Sequence, residues 1–491
     1  MNKNKVIVVG AGPAGLTAAW ELVQKGMEVI VLESDPKYVG GLARTVQWSN
    51  FRFDLGGHRF FSKNPTITEW WKSRLGKDFI EVKRLSRIIY DGKFFDYPLK
   101  PWNALSGLGM QTSAHCVASF LKRQIVPIRP EDSFEDWVIN RFGDRLYSIF
   151  FKTYTEKVWG IPCRSISADW ASQRIQGLSL GKAVWSAFAG KPKAKTLIPQ
   201  FQYPRYGAGM MWEKTRDEIV ERGAKVFMGQ SVHRFERDQG RVIAAWTRSR
   251  DGQVQRHEGN QFIISMPLKD CISALDEPVD ESVRRAAQRL TYREFVLVVL
   301  VINRGNLFPD NWIYVHTPDL KVGRIQNYNN WGDGMVGQKG VTSLALEYFC
   351  SGTDDFWKMS DSQFLEMAKF EVERLGLARS SEILDGCVVK AEKAYPVYDV
   401  NYRQNVMKIR NELKVLANFQ VIGRNGMHKY NNQDHSMLTG ILAAENVVRD
   451  RARWHDLWSV NTSAEYHEAG NADGERPAAF SAPDEKTVSP V

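Results

Sequence analysis

The sequence predicts an α/β fold in which one domain is threaded through another, and three observations carry that expectation. Short β-branched runs alternate with helical segments, the pattern of strands and helices taken in turn. A glycine-rich strand–turn–helix–strand unit opens the chain at residues 5–33. Buried strand-like segments return in the middle and near the end, so the opening unit is completed from distant parts of the chain.

The totals allow this. The 491 residues are 43% hydrophobic and 25% charged, enough for one large or two ordinary soluble domains. No apolar run reaches the roughly 18–20 residues needed to cross a bilayer. Four apolar residues after Lys5 are too few for the apolar region of a signal peptide, so a cytoplasmic protein is expected. Cys116, Cys163, Cys271, Cys350 and Cys387 stand far apart without metal-ligand spacing, so free thiols and no metal are expected. The net charge of +10 is spread along the chain with no Lys/Arg block. That argues against nucleic acid and leaves either a generally basic surface or a site for an anionic ligand. Oligomeric state is not legible.

In chain order, residues 6–9 and 29–33 read as strands flanking a helix at 14–25. Residues 137–154 and 166–178 have helical periodicity and many aromatics. Strands are expected within 224–246, at 261–265 and over the long apolar run 290–303, with helices at 363–375 and 436–448. We assign residues 1–100, 200–287 and 386–450 to a nucleotide-binding domain and 101–199 and 288–385 to a substrate domain of helices and an antiparallel sheet. Residues 465–491, poor in large apolar side chains, read as a disordered tail.

The opening unit contains Gly10-x-Gly12-Pro13-Ala14-Gly15 between the first strand and the helix. Gly10 permits the tight turn, Gly12 removes a side chain where a pyrophosphate must approach the backbone, and Gly15 lets helix and strand pack closely. The helix N-terminus offers N–H groups and partial positive charge to phosphate. Glu33, 18 residues after Gly15, can accept from a ribose hydroxyl. Strand, glycines, helix, strand and acid arrive in register, which marks a Rossmann-like dinucleotide-binding domain. Gly40-Gly41-Leu42-Ala-Arg44 and Gly56-Gly57-His58 follow. This continuation resembles the FAD-binding amine oxidase and protoporphyrinogen oxidase superfamily and implies FAD. In that resemblance the first segment lies along the pyrophosphate, the second approaches the isoalloxazine, and the backbone of Val232 lies near adenine.

Further segments narrow the resemblance. Residues 134–138 (FEDWV), 157–162 (KVWGIP), 170–174 (WASQR), Tyr395-Pro396 and the run from Gly423-Arg424 through Tyr430, Asn432, Gln433 and Ser436 resemble the UDP-galactopyranose mutases, the eukaryotic-type members most. The resemblance implies interconversion of the pyranose and furanose forms of a nucleotide-diphosphate sugar. Reduced FAD N5 acts there as nucleophile at the anomeric carbon, with no net redox change. It assigns Arg174 and Arg324 to the diphosphate, whose oxygens match guanidinium forks. Tyr328, Tyr395 and Tyr430 would donate hydroxyls, Phe61 and Trp159 would line the substrate pocket, and His58 would face the flavin. Gly423, Arg424, Asn432, Gln433 and Ser436 would close over FAD. Arg84, Ser86 and Tyr97 align with residues that hold NADH or NADPH as reductant. The chain departs from the family at Arg59 and Phe60, where small or aliphatic residues are usual. The competing readings are an FAD oxidoreductase of the amine oxidase, protoporphyrinogen oxidase or desaturase type, which shares only the opening pattern, and a flavin-stabilised scaffold without turnover.

Overall fold

Residues 5–168, 199–449 and 454–461 are described by the computed structural model. The expected tail at 465–491 lies outside them, as do Arg174 and the 170–174 segment.

The opening unit forms as read. Lys5–Val9 and Glu28–Leu32 pair in parallel around the helix Pro13–Gln24. Three distant segments complete a five-stranded parallel sheet. Phe419–Val421 and Gln261–Ile264 add on one side of Lys5–Val9, and Lys225–Phe227 adds beyond Glu28–Leu32. A sheet covered on both faces needs apolar residues at successive positions, and Val6, Ile7 and Val8 are all fully buried. The helix Gln433–Val448 packs on Pro13–Gln24 so closely that a Cβ on Gly440 would overlap the Ala14 carbonyl oxygen. That contact sets the N-terminus of Pro13–Gln24 against the middle of Gln433–Val448.

The second sheet has seven strands, ordered Ile383–Pro396, Tyr292–Ile302, Thr342–Cys350, Arg324–Asn327, Trp312–Val315, Ser86–Tyr90 and Lys93–Asp96. It is antiparallel except where Trp312–Val315 meets Ser86–Tyr90 in parallel. The apolar run expected at 290–303 is its inner strand Tyr292–Ile302, paired on both edges. Alternate residues serve two cores. Val296, Val298, Leu300 and Ile302 pack beneath the helix Asp361–Arg374, while Phe295, Leu297 and Val299 face Trp312, Tyr328 and Trp331. The domain limits need correction at two points. Ser86–Tyr90 and Lys93–Asp96 belong to this sheet rather than to the 1–100 nucleotide-binding segment, and all of Ile383–Pro396 lies in it, across the expected boundary at 386.

A helical region follows Lys93–Asp96: Pro101–Leu108, Met110–Ile125, Phe134–Phe142 and Thr153–Trp159. Ser133 starts the third with a capping box closed by Asp136. A π-helical turn at Ser148–Lys152 precedes the fourth. The five cysteines are free, and among the described residues none of their neighbourhoods forms a metal-ligating cluster.

His316 is trapped where the helical region meets the sheet, stacked on Tyr154 with ring centroids 4.9 Å apart and Nδ1 unpartnered. Burial, then the charge of Lys157, pushes its imidazole down to about 3. The unfolded chain takes up this proton below about pH 6.5, whereas the folded protein does not until far lower. Stability present above pH 6.5 is therefore lost as pH falls, by about 1.4 kcal/mol at pH 5.5. His316→Phe is expected to shrink the stability difference between pH 7.5 and 5.5 by that amount in urea titrations. An undiminished difference would mean that the imidazole is already charged in the folded state.

Candidate active site

The nucleotide end is built by glycines. Gly10 has φ +95°, and a Cβ there would run into the Ser265 hydroxyl, which itself donates to Val9 O at 2.8 Å. A Cβ on Gly15 would overlap the Gly10 carbonyl oxygen, so strand and helix touch at this point. At Gly12 the situation is reversed: a Cβ would meet only the Cα of Gly41, 4.0 Å away. The space beside Gly12 is thus clear of protein, lies at the helix N-terminus behind Pro13 and Ala14, and is faced by the second glycine segment. That segment is tied to the first through Gly40 N–H, which donates to Ala11 O at 2.7 Å. Leu42 sits in its single 3-10 turn, and Arg44 donates back to Gly41 O at 3.0 Å. Gly423 docks from the other side, its N–H on Thr439 Oγ1 at 3.0 Å and its Cα against Ala14. Asn432 caps the neighbouring helix, Gln433 accepts from Trp212 Nε1 at 3.0 Å, and Ser436 is buried in the first turn. A helix N-terminus and an open glycine cradle fit a dinucleotide pyrophosphate.

Glu33 is nearly buried, with Oε2 accepting from Ala11 N at 2.6 Å and Oε1 from Asp35 N at 2.8 Å. It fastens the end of its strand to the glycine loop; Oε1 also accepts from Ser34 Oγ at 3.2 Å, and Oε2 keeps a further lone pair for a ribose hydroxyl. Val232 opens the next strand two residues after Gln230, whose N–H donates to Glu33 O at 2.7 Å. The adenosine end would lie between these residues.

The second loop is held from below by Asp54. Its fully buried carboxylate accepts from Thr45 Oγ1 at 2.6 Å, Tyr203 Oη at 2.6 Å and Ala208 N at 3.1 Å. Burial raises its pKa to about 7 against the pull of these donors. Tyr328 belongs to this support. It is fully buried, with Oη donating to Asp54 O at 2.7 Å and accepting from Asp54 N at 3.1 Å. The expectation that Tyr328 donates to substrate is corrected: its hydroxyl is spent on backbone. Tyr328→Phe is accordingly expected to cost about 1–3 kcal/mol of stability, because the buried Asp54 N–H loses this acceptor, while Asp54 O keeps the bond from Gly56 N at 2.9 Å. Substrate KM should move less than twofold; a large KM change with unaltered urea midpoint would return Tyr328 to the substrate.

Above this support, Gly56, His58 and Arg324 converge. A Cβ on Gly56 would lie 3.5 Å from Arg324 Nη2 and 3.7 Å from His58 Cε1. His58 Nδ1 is buried without a partner. Burial, with the charges of Arg424 and Arg324, pushes the imidazole down to about 3, so it is neutral near pH 7. Arg324 stands directly opposite Glu347 in the antiparallel register, and its Nε donates to Glu347 Oε2 at 2.8 Å. Gln326 donates to the other oxygen at 2.7 Å. Tyr395 and Tyr430 stack with centroids 6.0 Å apart. Arg424 lies 4.6 Å from the Tyr430 ring centre, anchored by Nε on Asn431 O at 2.9 Å. Trp159 closes the wall 6.1 Å from Tyr430. Phe61 is half-buried after Phe60, whose ring is core, 4.5 Å from Trp71.

A second basic group adjoins. Arg84 donates to Ser86 Oγ at 2.8 Å and lies over Trp312 and Tyr97, at 5.5 and 5.9 Å. Arg59 lies over the same Trp312 at 5.7 Å. Tyr314 joins the groups, 4.5 Å from Tyr97 and 5.5 Å from Tyr154. Sequence reading missed Glu347, Gln326, Tyr154, Tyr314 and Trp312. Glu347 alone left a signal, a single carboxylate inside the apolar run at 342–350. A cleft of about 530 Å³ between Lys37, Arg52, Tyr206 and Glu213 opens elsewhere on the surface and contains none of these groups.

Comparison with known proteins agrees with this architecture. Residues 8–73 match the model of an NAD(P)-binding Rossmann-like domain. L-amino acid oxidase Cdc18 of Crotalus durissus cumanensis is 32% identical over 114 residues, 20% of this chain and 23% of that protein. A probable UDP-galactopyranose mutase of Klebsiella pneumoniae is 26% identical over 175 residues, 34% of this chain and 44% of that protein. The matches therefore span less than half the length of these relatives. This mutase is bacterial, so it lends nothing to the expected leaning toward eukaryotic-type members. The crystal structure of reduced UDP-galactopyranose mutase superposes with a TM-score of 0.80 at 20% identity, covering 94% of this chain and 98% of that one. The fold is that of flavin-dependent oxidoreductases and mutases, a Rossmann-like domain interleaved with a domain of helices and a largely antiparallel sheet.

Proposed function

We propose that the chain binds FAD along its two glycine segments and interconverts the pyranose and furanose forms of a nucleotide-diphosphate sugar. The observation that carries this reading is the composition of the wall beyond Gly57. Arg324, Arg424, Tyr395, Tyr430 and a neutral His58 converge there, and the carboxylate of Glu347 beside them is paired with Arg324. Such a wall suits a diphosphate and repels an amine.

FAD, bound and reduced, supplies the nucleophile for the anomeric carbon, with no net redox change. The protein's part is to hold the diphosphate while it is detached from the sugar. Arg324, preorganised by Glu347, carries positive charge to the phosphate oxygens; Arg174, assigned the same role by the resemblance, lies outside the described residues. Tyr395 and Tyr430 donate hydroxyls, and Trp159 and Phe61 bound the sugar. His58 stays neutral beside the flavin loop, offering a hydrogen bond without a further cation. Arg84, Ser86 and Tyr97 form the group suited to NADH or NADPH as reductant.

The test is to reduce the purified protein anaerobically with dithionite and follow conversion of UDP-galactopyranose or UDP-galactofuranose by chromatography, with oxidised protein as control. Conversion only after reduction is the expected result. A second reading, an FAD oxidoreductase, draws on the oxidase match over 114 residues. Substrate-dependent flavin bleaching by an amine or amino acid, with no sugar conversion, would replace the first reading by the second.

A further inference from the structure

The helix Met110–Ile125 carries its apolar stripe toward solvent. At about 100° per residue, Met110, Ala114, Val117, Ala118, Leu121 and Ile125 fall in one sector roughly 100° wide. All six are exposed, Met110 by 92%, Ile125 by 80% and Leu121 by 54%. Val126 extends the stripe past the helix end. The inward face is narrow, resting Cys116 and Phe120 on the helices Phe134–Phe142 and Asp144–Tyr147. Soluble surfaces scatter such residues singly; a continuous stripe is a contact surface.

The flanks are basic. The helix contains no Asp or Glu, and exposed His115 and Lys122 border the stripe. Arg145 lies toward the inward side, its backbone N–H donating to Ser119 Oγ at 3.2 Å and its charge acting on Cys116. Arg123 turns inward to pair with Asp144 at 2.7 Å.

We propose that this face docks on an anionic lipid surface, the helix lying in the plane of the interface with its stripe among the acyl chains and Lys122 among the headgroups. Charge favours this occupant over a second copy of the chain, since paired copies would find no carboxylate on the helix to meet their cations. Area argues the same way. A 16-residue helix is about 24 Å long, and one such face on another falls short of the roughly 1,200 Å² of a stable interface. The net charge of +10 draws the whole chain toward a negative surface.

The test sediments the full-length protein with sucrose-loaded vesicles of phosphatidylcholine, alone or mixed two to one with phosphatidylglycerol. Partition onto the mixed vesicles should exceed that onto neutral ones at least about tenfold and weaken with salt. Leu121→Glu should reduce it by a further factor of about ten or more. Leu121 is exposed, so an unchanged urea midpoint shows the fold intact; Lys122→Glu offers a second, independent variant. No sedimentation with mixed vesicles, or binding indifferent to Leu121→Glu and Lys122→Glu, would overturn the proposal. So would a dimer in velocity sedimentation that Leu121→Glu abolishes while vesicles capture nothing, since the face would then belong to a second copy.

Discussion

Arg324→Lys is expected to lower turnover of the reduced protein by about 10²–10³-fold, the usual loss when one preorganised donor to a developing anion is removed. Lysine keeps the charge opposite Glu347, so the fold survives and the flavin spectrum should be unchanged, but it cannot present a planar fork to two phosphate oxygens. Arg324→Ala tests something else. It strands Glu347, fully buried, without its cation. Such an unpaired charge costs about 3–5 kcal/mol, and misfolding would then be mistaken for catalysis. The lysine variant is therefore the informative one, with bound flavin quantified alongside turnover. Full activity would mean that Arg324 serves only to neutralise Glu347, and the diphosphate assignment would fail with it.

Gly12→Val is expected to abolish FAD retention while leaving the protein folded. The contrast with Gly15 makes this specific. A side chain at Gly15 collides with the backbone of Gly10, so Gly15→Val should unfold the opening unit. A Cβ at Gly12 meets no protein atom closer than Gly41 Cα at 4.0 Å, so a side chain there would extend into the space proposed for the pyrophosphate. The Gly12 variant should thus purify colourless, with the circular dichroism of the flavin-free wild type. A yellow, FAD-loaded Gly12→Val protein would move the pyrophosphate away from Gly12 and remove the role given to the first glycine segment.

These two sites differ in how far they could be read from sequence. Gly10, Gly12, Gly15 and Glu33 are local: a tight turn, a clear approach and an acid at a strand end are specified within 29 residues, because glycine writes backbone conformation directly into the chain. The inner strand Tyr292–Ile302 was equally legible, since a strand covered on both faces is apolar at successive positions, as Phe295–Ile302 is.

Partnerships between distant segments were not legible. Arg324 meets Glu347 only because two strands pair in one register, and a shift of one residue would turn both side chains to the other face. Tyr328 sits just beyond that strand, and no spacing rule separates its hydroxyl, held by Asp54 backbone, from those of Tyr395 and Tyr430. The stripe on Met110–Ile125 has the periodicity of a core-facing helix, and only packing shows that Cys116 and Phe120 take the inside. The sequence by itself determined the nucleotide-binding unit and the α/β class, where the needed information is backbone shape and short-range pattern. Tertiary structure decided which polar groups face the cavity and which apolar face is left outside, because those outcomes depend on register and neighbours that no local segment contains.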